Sequence, residues 1–147
     1  TYKMGKYETI LVAVDGSNES DKAFQKAIET AANNKAKLII AHVIDSRAYT
    51  TIQQYDRSFL EQAEKHGESL LADYKEKATK YGVEDVKTVM DYGSPRARLP
   101  KNIAVEYKVD LIIAGATGLN AVERMMIGSV SESIARKAPC DVLIVRN

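Results

Sequence analysis

Thr9-Ile-Leu-Val-Ala-Val-Asp15-Gly-Ser17 is a short apolar run, rich in β-branched residues, that closes on turn-forming residues. Such a run reads as a buried strand ending in a tight turn. Directly after it, Ala23, Phe24, Ala27, Ile28 and Ala31 share one face at helical spacing. Ser17 or Ser20 is placed to cap this helix, and Asn33-Asn34 to end it. Lys37-Leu-Ile-Ile-Ala-His-Val-Ile44 is a second near-continuous apolar run. Strands without polar alternation need cover on both faces, which is the condition of a parallel sheet. The three segments therefore predict a right-handed βαβ unit.

The same alternation continues to the end of the chain. Asp45 to Asp56 is polar and reads as a loop. Leu60, Ala63, Gly67, Leu70, Leu71, Tyr74, Ala78 and Tyr81 mark one face of a long helix, with Gly82 as its C-terminal cap. Val86 to Met90, closing at Tyr92-Gly93, predicts a third strand. Ser94-Pro95 opens the next helix, with proline where its missing N–H is harmless. Pro100 interrupts that helix, so a kink or a short first turn and a restart is expected there. Leu111-Ile-Ile-Ala114 is a fourth strand and Val142-Leu-Ile-Val145 a fifth. Between them Ser129 to Lys137 predicts a helix with Val130, Ile134 and Ala138 inward, stopped at Pro139. The pattern is α/β, a single parallel sheet with helices on both faces, in one domain over residues 1–147. Sheets of this kind bind ligands beyond the carboxyl ends of their strands, where the strand order switches.

Composition narrows the classes. With 147 residues, 45% hydrophobic and 28% charged, the chain has the balance of an ordinary soluble globule. A net charge of +1 gives no global field toward nucleic acid or an anionic membrane, so neither is an expected partner. No apolar stretch reaches the ~20 residues of a transmembrane helix, and Thr1 to Glu8 lacks the apolar segment of a secretory signal. Cys140 is the one cysteine, which fits a reducing compartment. A cytoplasmic location is expected.

The chemistry concentrates in Gly115-Ala-Thr-Gly118-Leu-Asn-Ala-Val-Glu-Arg-Met-Met-Ile-Gly128-Ser129-Val130-Ser131. Gly115 and Gly118 follow a strand and allow a sharp turn that exposes backbone N–H groups. Gly128 precedes a helix whose first amides lack internal partners and carry the positive end of its dipole. Together these form an anion site. Ser129 and Ser131 add hydroxyls. A second reading of the same residues is structural: Ser129-Val130-Ser131-Glu132 is also a capping box, and glycine pairs after strands are often plain turns. Neither a G-x-x-x-x-G-K-[ST] loop nor a G-x-G-x-x-G after the first strand is present.

Gly115-x-x-Gly118, nine residues, then Gly128-Ser129 resembles the ATP-binding motif of the universal stress protein family. The opening Ile10-Leu-Val-Ala-Val-Asp15-Gly-Ser, Ala41-His42-Val43, Gly93-Ser-Pro95 and the closing Pro139-Cys-Asp-Val-Leu-Ile-Val145 resemble it too, over about residues 7–146. The resemblance implies an open five-stranded Rossmann-like sheet, of the adenine nucleotide alpha hydrolase type, in order 3-2-1-4-5. It also implies a homodimer, expected here through the last strand. Its ligand contacts carry over to Asp15 for the adenosine part, and to Ala13 and Val43 beside the adenine. Gly115, Gly118, Gly128, Ser129, Val130 and Ser131 match the ribose and phosphate segment, with Thr117 and Asn120 inside its loop. The implied ligand is ATP, with ADP or AMP as alternatives, and Mg²⁺ or Mn²⁺ held through the phosphates and not by protein ligands. Two departures stand out: Ala116-Thr117 where many members carry His or Arg, and Pro100 within the third helix.

Asp15 has a bland reading as a turn cap. His42 reads as a hydrogen-bonded core residue, His66 as solvent-facing, and Cys140 as a small buried hydrophobe. Arg124 is the only basic residue between Gly115 and Gly128, and it reads either as neutralising phosphate or as an exposed ion pair with a nearby acid such as Glu123. Met125-Met126-Ile127 is expected to pack its loop down. The leading function is an ATP-binding regulator in a stress response, the stress role coming from the resemblance alone. A slow ATPase or phosphotransferase ranks lower, because no P-loop Lys or evident base is present. A receiver-like domain ranks lower still, with one acid after the first strand and no Lys in the last.

Overall fold

The computed structural model of the chain describes residues 7–45, 58–116 and 127–146. Five strands, β1 (Thr9–Ala13), β2 (Lys37–Ile44), β3 (Val86–Tyr92), β4 (Leu111–Gly115) and β5 (Asp141–Val145), form one sheet. Its order is β3-β2-β1-β4-β5 and every pairing is parallel. The helices are α1 (Asn18–Asn34), α2 (Ser58–Tyr81), α3 (Pro95–Ala97), α4 (Ala104–Glu106) and α5 (Ser129–Lys137), with a widened π-helical segment, Arg98–Ile103, between α3 and α4.

Strand alternation divides the apolar side chains between two cores. Ile10, Val12, Leu38, Ile40, Leu111 and Ile113 face one way, packed with Phe24, Ile28, Leu71 and Tyr74 of α1 and α2. Leu11, Ile39, Ala41, Ile112 and Ala114 face the other way, against Leu99, Ile103, Ala104 and Ile134. The sheet thus has helices on both faces. Each fully buried Ile or Leu contributes about 2–3 kcal/mol relative to an exposed one. The three central strands supply most of these residues.

Element ends differ from the sequence reading in small ways with local causes. The first strand stops at Ala13 and not at Asp15, although the Val14 amide still reaches the Ala41 carbonyl at 2.9 Å. Ser17 caps α1, its hydroxyl accepting from the Ser20 amide at 3.1 Å, and Lys35 closes the helix in a left-handed conformation (φ 53°). Gly82 ends α2 with φ +121°, while the Val83 amide reaches back to the Ala78 carbonyl at 3.1 Å.

Pro100 breaks its helix as expected, and the structure shows what repairs the break. In a regular helix residue 100 would donate to the carbonyl of residue 96. Proline has no N–H to give. The Ser133 hydroxyl, on α5, donates to the Arg96 carbonyl at 2.8 Å instead. Past the proline the backbone widens, and the Ala104 amide bonds five residues back to Leu99. Ser133 is buried, so this bond is shielded from water. Ser133→Ala should lower stability by about 1–2 kcal/mol in urea titrations, the usual cost of an unsatisfied buried acceptor. The loss should shrink in a Pro100→Ala background, where an amide at position 100 can take the same carbonyl.

Candidate functional site

The strand order reverses between β1 and β4. From β1 the chain builds outward through β2 and β3 on one side, and β4 and β5 complete the other. The carboxyl ends of β1 and β4 therefore border a crevice between oppositely wound halves. Ile10, Leu11 and Val12 pair with Leu111, Ile112 and Ile113, which brings the Asp15 turn beside Gly115.

Asp15 is exposed at the end of β1. Its Oδ1 accepts from the Ser17 amide at 2.9 Å, the turn bond foreseen as its bland role. Its own amide donates to Ser20 Oγ at 3.3 Å. One carboxylate oxygen is thus tied to the turn, and Oδ2 has no partner among the described residues. Ala13 and Val43, both half-buried, sit at the ends of the neighbouring strands β1 and β2. Val43 and His42 line a cavity of about 450 Å³ beyond the end of β2, together with Asp45, Phe59 and His66. His42 Nδ1 lies 2.9 Å from the Val14 carbonyl. A carbonyl has no proton to offer, so in the neutral ring Nδ1 carries the hydrogen and Nε2 is the acceptor. This is the hydrogen-bonded histidine expected from sequence, and His66 is exposed, also as expected.

Gly115 is needed for a different reason from the one expected. A Cβ there would stand 2.9 Å from the Glu19 carbonyl oxygen, a backbone atom in the first turn of α1. The glycine lets α1 press against the end of β4. Thr117, Gly118 and Asn120 lie outside the described residues, as do Glu123, Arg124, Met125 and Met126. The Ala116 amide donates to Val145 at 2.9 Å, and the Gly128 amide donates to the Ala116 carbonyl at 2.6 Å. Ile127 is 39% exposed, so it does not pack down as expected.

The capping-box reading of α5 does not hold. Gly128 occupies the cap position (φ −63°, ψ 160°), and Ser129 is the first helical residue with no capping bond from its side chain. Glu132 pairs with Arg136 one turn ahead instead of reaching back. The Glu132 amide is the one that closes onto Gly128, at 2.9 Å. The amides of Ser129, Val130 and Ser131 precede it and have no acceptor within the helix. Ser129 is exposed, Val130 packs on the core below, and Ser131 is buried with its hydroxyl donating to the Gly115 carbonyl. What Ser131 can offer an anion is its amide, because its hydroxyl proton joins α5 to β4.

Ser20 and Tyr74 escaped the sequence reading as parts of this region. Ser20 Oγ lies 3.3 Å from the Tyr74 hydroxyl, which donates to Asp21. The signal available was the Ser17-x-x-Ser20 spacing at a helix start, but nothing linked it to Tyr74, 54 residues away. Among the described residues no group of three or more His, Cys, Asp or Glu could hold a metal ion. None of the described helices is long and apolar enough to cross a membrane. Cys140 is half-buried, and burial first, then Asp110 and Asp141, raises its thiol above the ordinary range.

Burial pushes the Tyr74 phenol up from 10.0 to about 12, and the Asp21 bond adds to this while Ser20 opposes it. A raised folded-state value means the protonated phenol stabilises the fold fully below pH 10, and that contribution is lost as pH rises toward 12. Thermal melts should therefore fall more steeply between pH 10 and 12 for the wild type than for Tyr74→Phe.

Comparison with known proteins follows the same outline. Residues 6–146 match the universal stress protein family. A protein of Staphylococcus haemolyticus named as a universal stress protein is 53% identical over 140 residues, spanning 95% of this chain and 85% of its own. The universal stress protein UspA of Lactobacillus plantarum superposes with a TM-score of 0.87 at 28% identity, over 97% of this chain and 99% of that one. A universal stress protein crystallised in complex with cAMP superposes with a TM-score of 0.72 at 31% identity, over 95% and 97%.

Proposed function

The chain belongs to the universal stress protein family, and on that premise we propose that it is an ATP-binding regulator acting in a stress response. The observation that carries this reading is the reversal of strand order between β1 and β4, with the exposed Asp15 carboxylate following β1 and the amide-bearing N-terminus of α5 joined to the end of β4. Asp15 takes the adenosine part through Oδ2, with Ala13 and Val43 against the base. Gly115, Thr117, Gly118 and Asn120 follow the ribose and phosphates. Gly128 precedes the helix, Ser129, Val130 and Ser131 present their amides to the phosphates, and the exposed Ser129 adds its hydroxyl. ADP and AMP fit the same scheme with fewer phosphates. Mg²⁺ or Mn²⁺ is held by the phosphate oxygens, in keeping with the hard-oxygen preference of these ions. The binding role is favoured over catalysis because the sequence supplies no P-loop lysine. A cytoplasmic setting is part of the proposal, since a lone thiol suits a reducing compartment.

Because Ser129 is not a cap, Ser129→Ala separates binding from stability cleanly. Calorimetry should show ATP affinity falling roughly tenfold, equivalent to ~1.4 kcal/mol, with an unchanged melting temperature. Gly128→Val should stay folded by circular dichroism, as its φ suits an L-residue, yet lose most ATP binding and the ATP-induced rise in melting temperature. A folded Gly128→Val protein with wild-type affinity would overturn the site.

The homodimer is proposed through β5. That strand is at the edge of the sheet and exposes 38% of Leu143. A free apolar edge invites pairing with a second copy. Sedimentation at micromolar concentration should give a dimer that Leu143→Lys converts to monomer, and a monomeric wild type would refute it.

A further inference from the structure

The Asp15 turn is held from outside its own βα unit. Ser20 Oγ is the acceptor for the Asp15 amide at 3.3 Å, and the same oxygen faces the Tyr74 hydroxyl on α2 at 3.3 Å. Each hydroxyl has one proton, and this fixes the direction of the chain. Tyr74 donates its proton to Asp21, a carboxylate that can only accept. Between Ser20 and Tyr74 the donor is then Ser20. The Ser20 proton has a second acceptor in the Ser17 carbonyl at 3.2 Å, whose other lone pair receives the Asp21 amide at 3.0 Å.

The result is a directed series, Asp15 amide to Ser20, Ser20 to Tyr74 with the Ser17 carbonyl sharing the proton, and Tyr74 to Asp21. It ends on a negative charge, so each link polarises the one before it. Tyr74 is 4% exposed, and its ring packs against Phe24 with centroids 4.6 Å apart. Its hydroxyl is therefore fixed in place by the α1–α2 contact. Without that hydroxyl, the Ser20 proton is left with the Ser17 carbonyl alone.

We propose that Tyr74 is a positioning residue for nucleotide binding: by fixing the Ser20 hydroxyl it sets the Asp15 peptide, and hence the carboxylate that receives adenosine. This rests on the nucleotide-binding reading above. It makes the α1–α2 contact part of the site although Tyr74 touches no ligand.

Tyr74→Phe keeps the ring and removes the hydroxyl. Its ATP affinity, measured by calorimetry at neutral pH, should fall about fivefold, within the range for residues that couple to a site without touching it. The same change in an Asp15→Asn background should lower affinity by less than twofold, because the group it positions is already altered. A loss from general weakening of the fold would be equal in both backgrounds, and that result would overturn the proposal. So would wild-type affinity in Tyr74→Phe. A second readout needs no ligand: amide exchange at Asp15 should be faster in Tyr74→Phe than in the wild type, while exchange at Ile112 stays unchanged. Unchanged exchange at Asp15 would also overturn the positioning role. A wild-type protein that binds no ATP would refute the function itself, while faster exchange at Asp15 would still show the turn to be held by Tyr74.

Discussion

The pairing of β1 with β4 is the contact that the other features depend on. It joins residues 10–12 to residues 111–113, about a hundred positions apart, and buries all six side chains. Closing so long a loop is entropically unfavourable, though the penalty grows only slowly with length. The pairing is recovered by packing on both faces at once: Ile10, Val12, Leu111 and Ile113 on one side, Leu11 and Ile112 on the other. No other pair of strands sets the two windings of the sheet against each other. The crevice, the nearness of Asp15 to Gly115, and the place of α5 above them all follow from this one register.

Much of this was legible beforehand because the strands are apolar on both faces. Lys37–Ile44 and Ser129–Lys137 match their sequence-derived limits, since hydrophobic runs and helix periodicity are local properties. The strand order came from the resemblance, because nothing in the five runs themselves dictates it. Details decided by distant backbone were not legible. Gly115 looked like a turn glycine but serves the approach of α1, through a carbonyl at Glu19. Ser129 looked like a cap but lies one residue inside the helix, because Gly128 already supplies the extended conformation a cap needs. The repair at Pro100 joins Ser133 to the Arg96 carbonyl, 37 positions apart. A sequence shows that a proline leaves a carbonyl unpaired; it does not show which hydroxyl will find it.

Hydroxyl groups recur as fasteners around the crevice. Ser17 and Ser20 close the α1 turn, Ser131 ties α5 to β4, and Ser133 ties α5 to α3. All four are buried. A buried hydroxyl without a partner would cost about 1–3 kcal/mol, so each of these constrains geometry strongly. They act where regular backbone pairing ends. The strands and helices set the coarse position of the crevice, and the serines fix the backbone at its rim. This arrangement suits recognition by amides, whose direction matters more than that of a mobile lysine.

The distribution of charge adds the last constraint. Between Gly115 and Ser131 the sequence holds one Arg and one Glu, so the segment carries no net charge. On the proposed reading the site is polarised all the same, by the exposed Asp15 carboxylate after β1 and by the positive end of α5, which Ser131 joins to the end of β4. On the same reading this polarity sets the direction of the nucleotide. Two unit charges of like sign at 4 Å repel by about 4 kcal/mol at an effective dielectric of 20, so a polyphosphate is driven away from Asp15. The ribose hydroxyls are donors that a carboxylate accepts. The amides of Ser129, Val130 and Ser131, which have no acceptor within the helix, offer the phosphates what Asp15 denies them. Orientation then comes from a repulsion at Asp15 and an attraction at the start of α5, without any lysine aimed at the phosphate. That is why the backbone geometry at Gly128 and the peptide at Asp15 are the places where small substitutions should matter most.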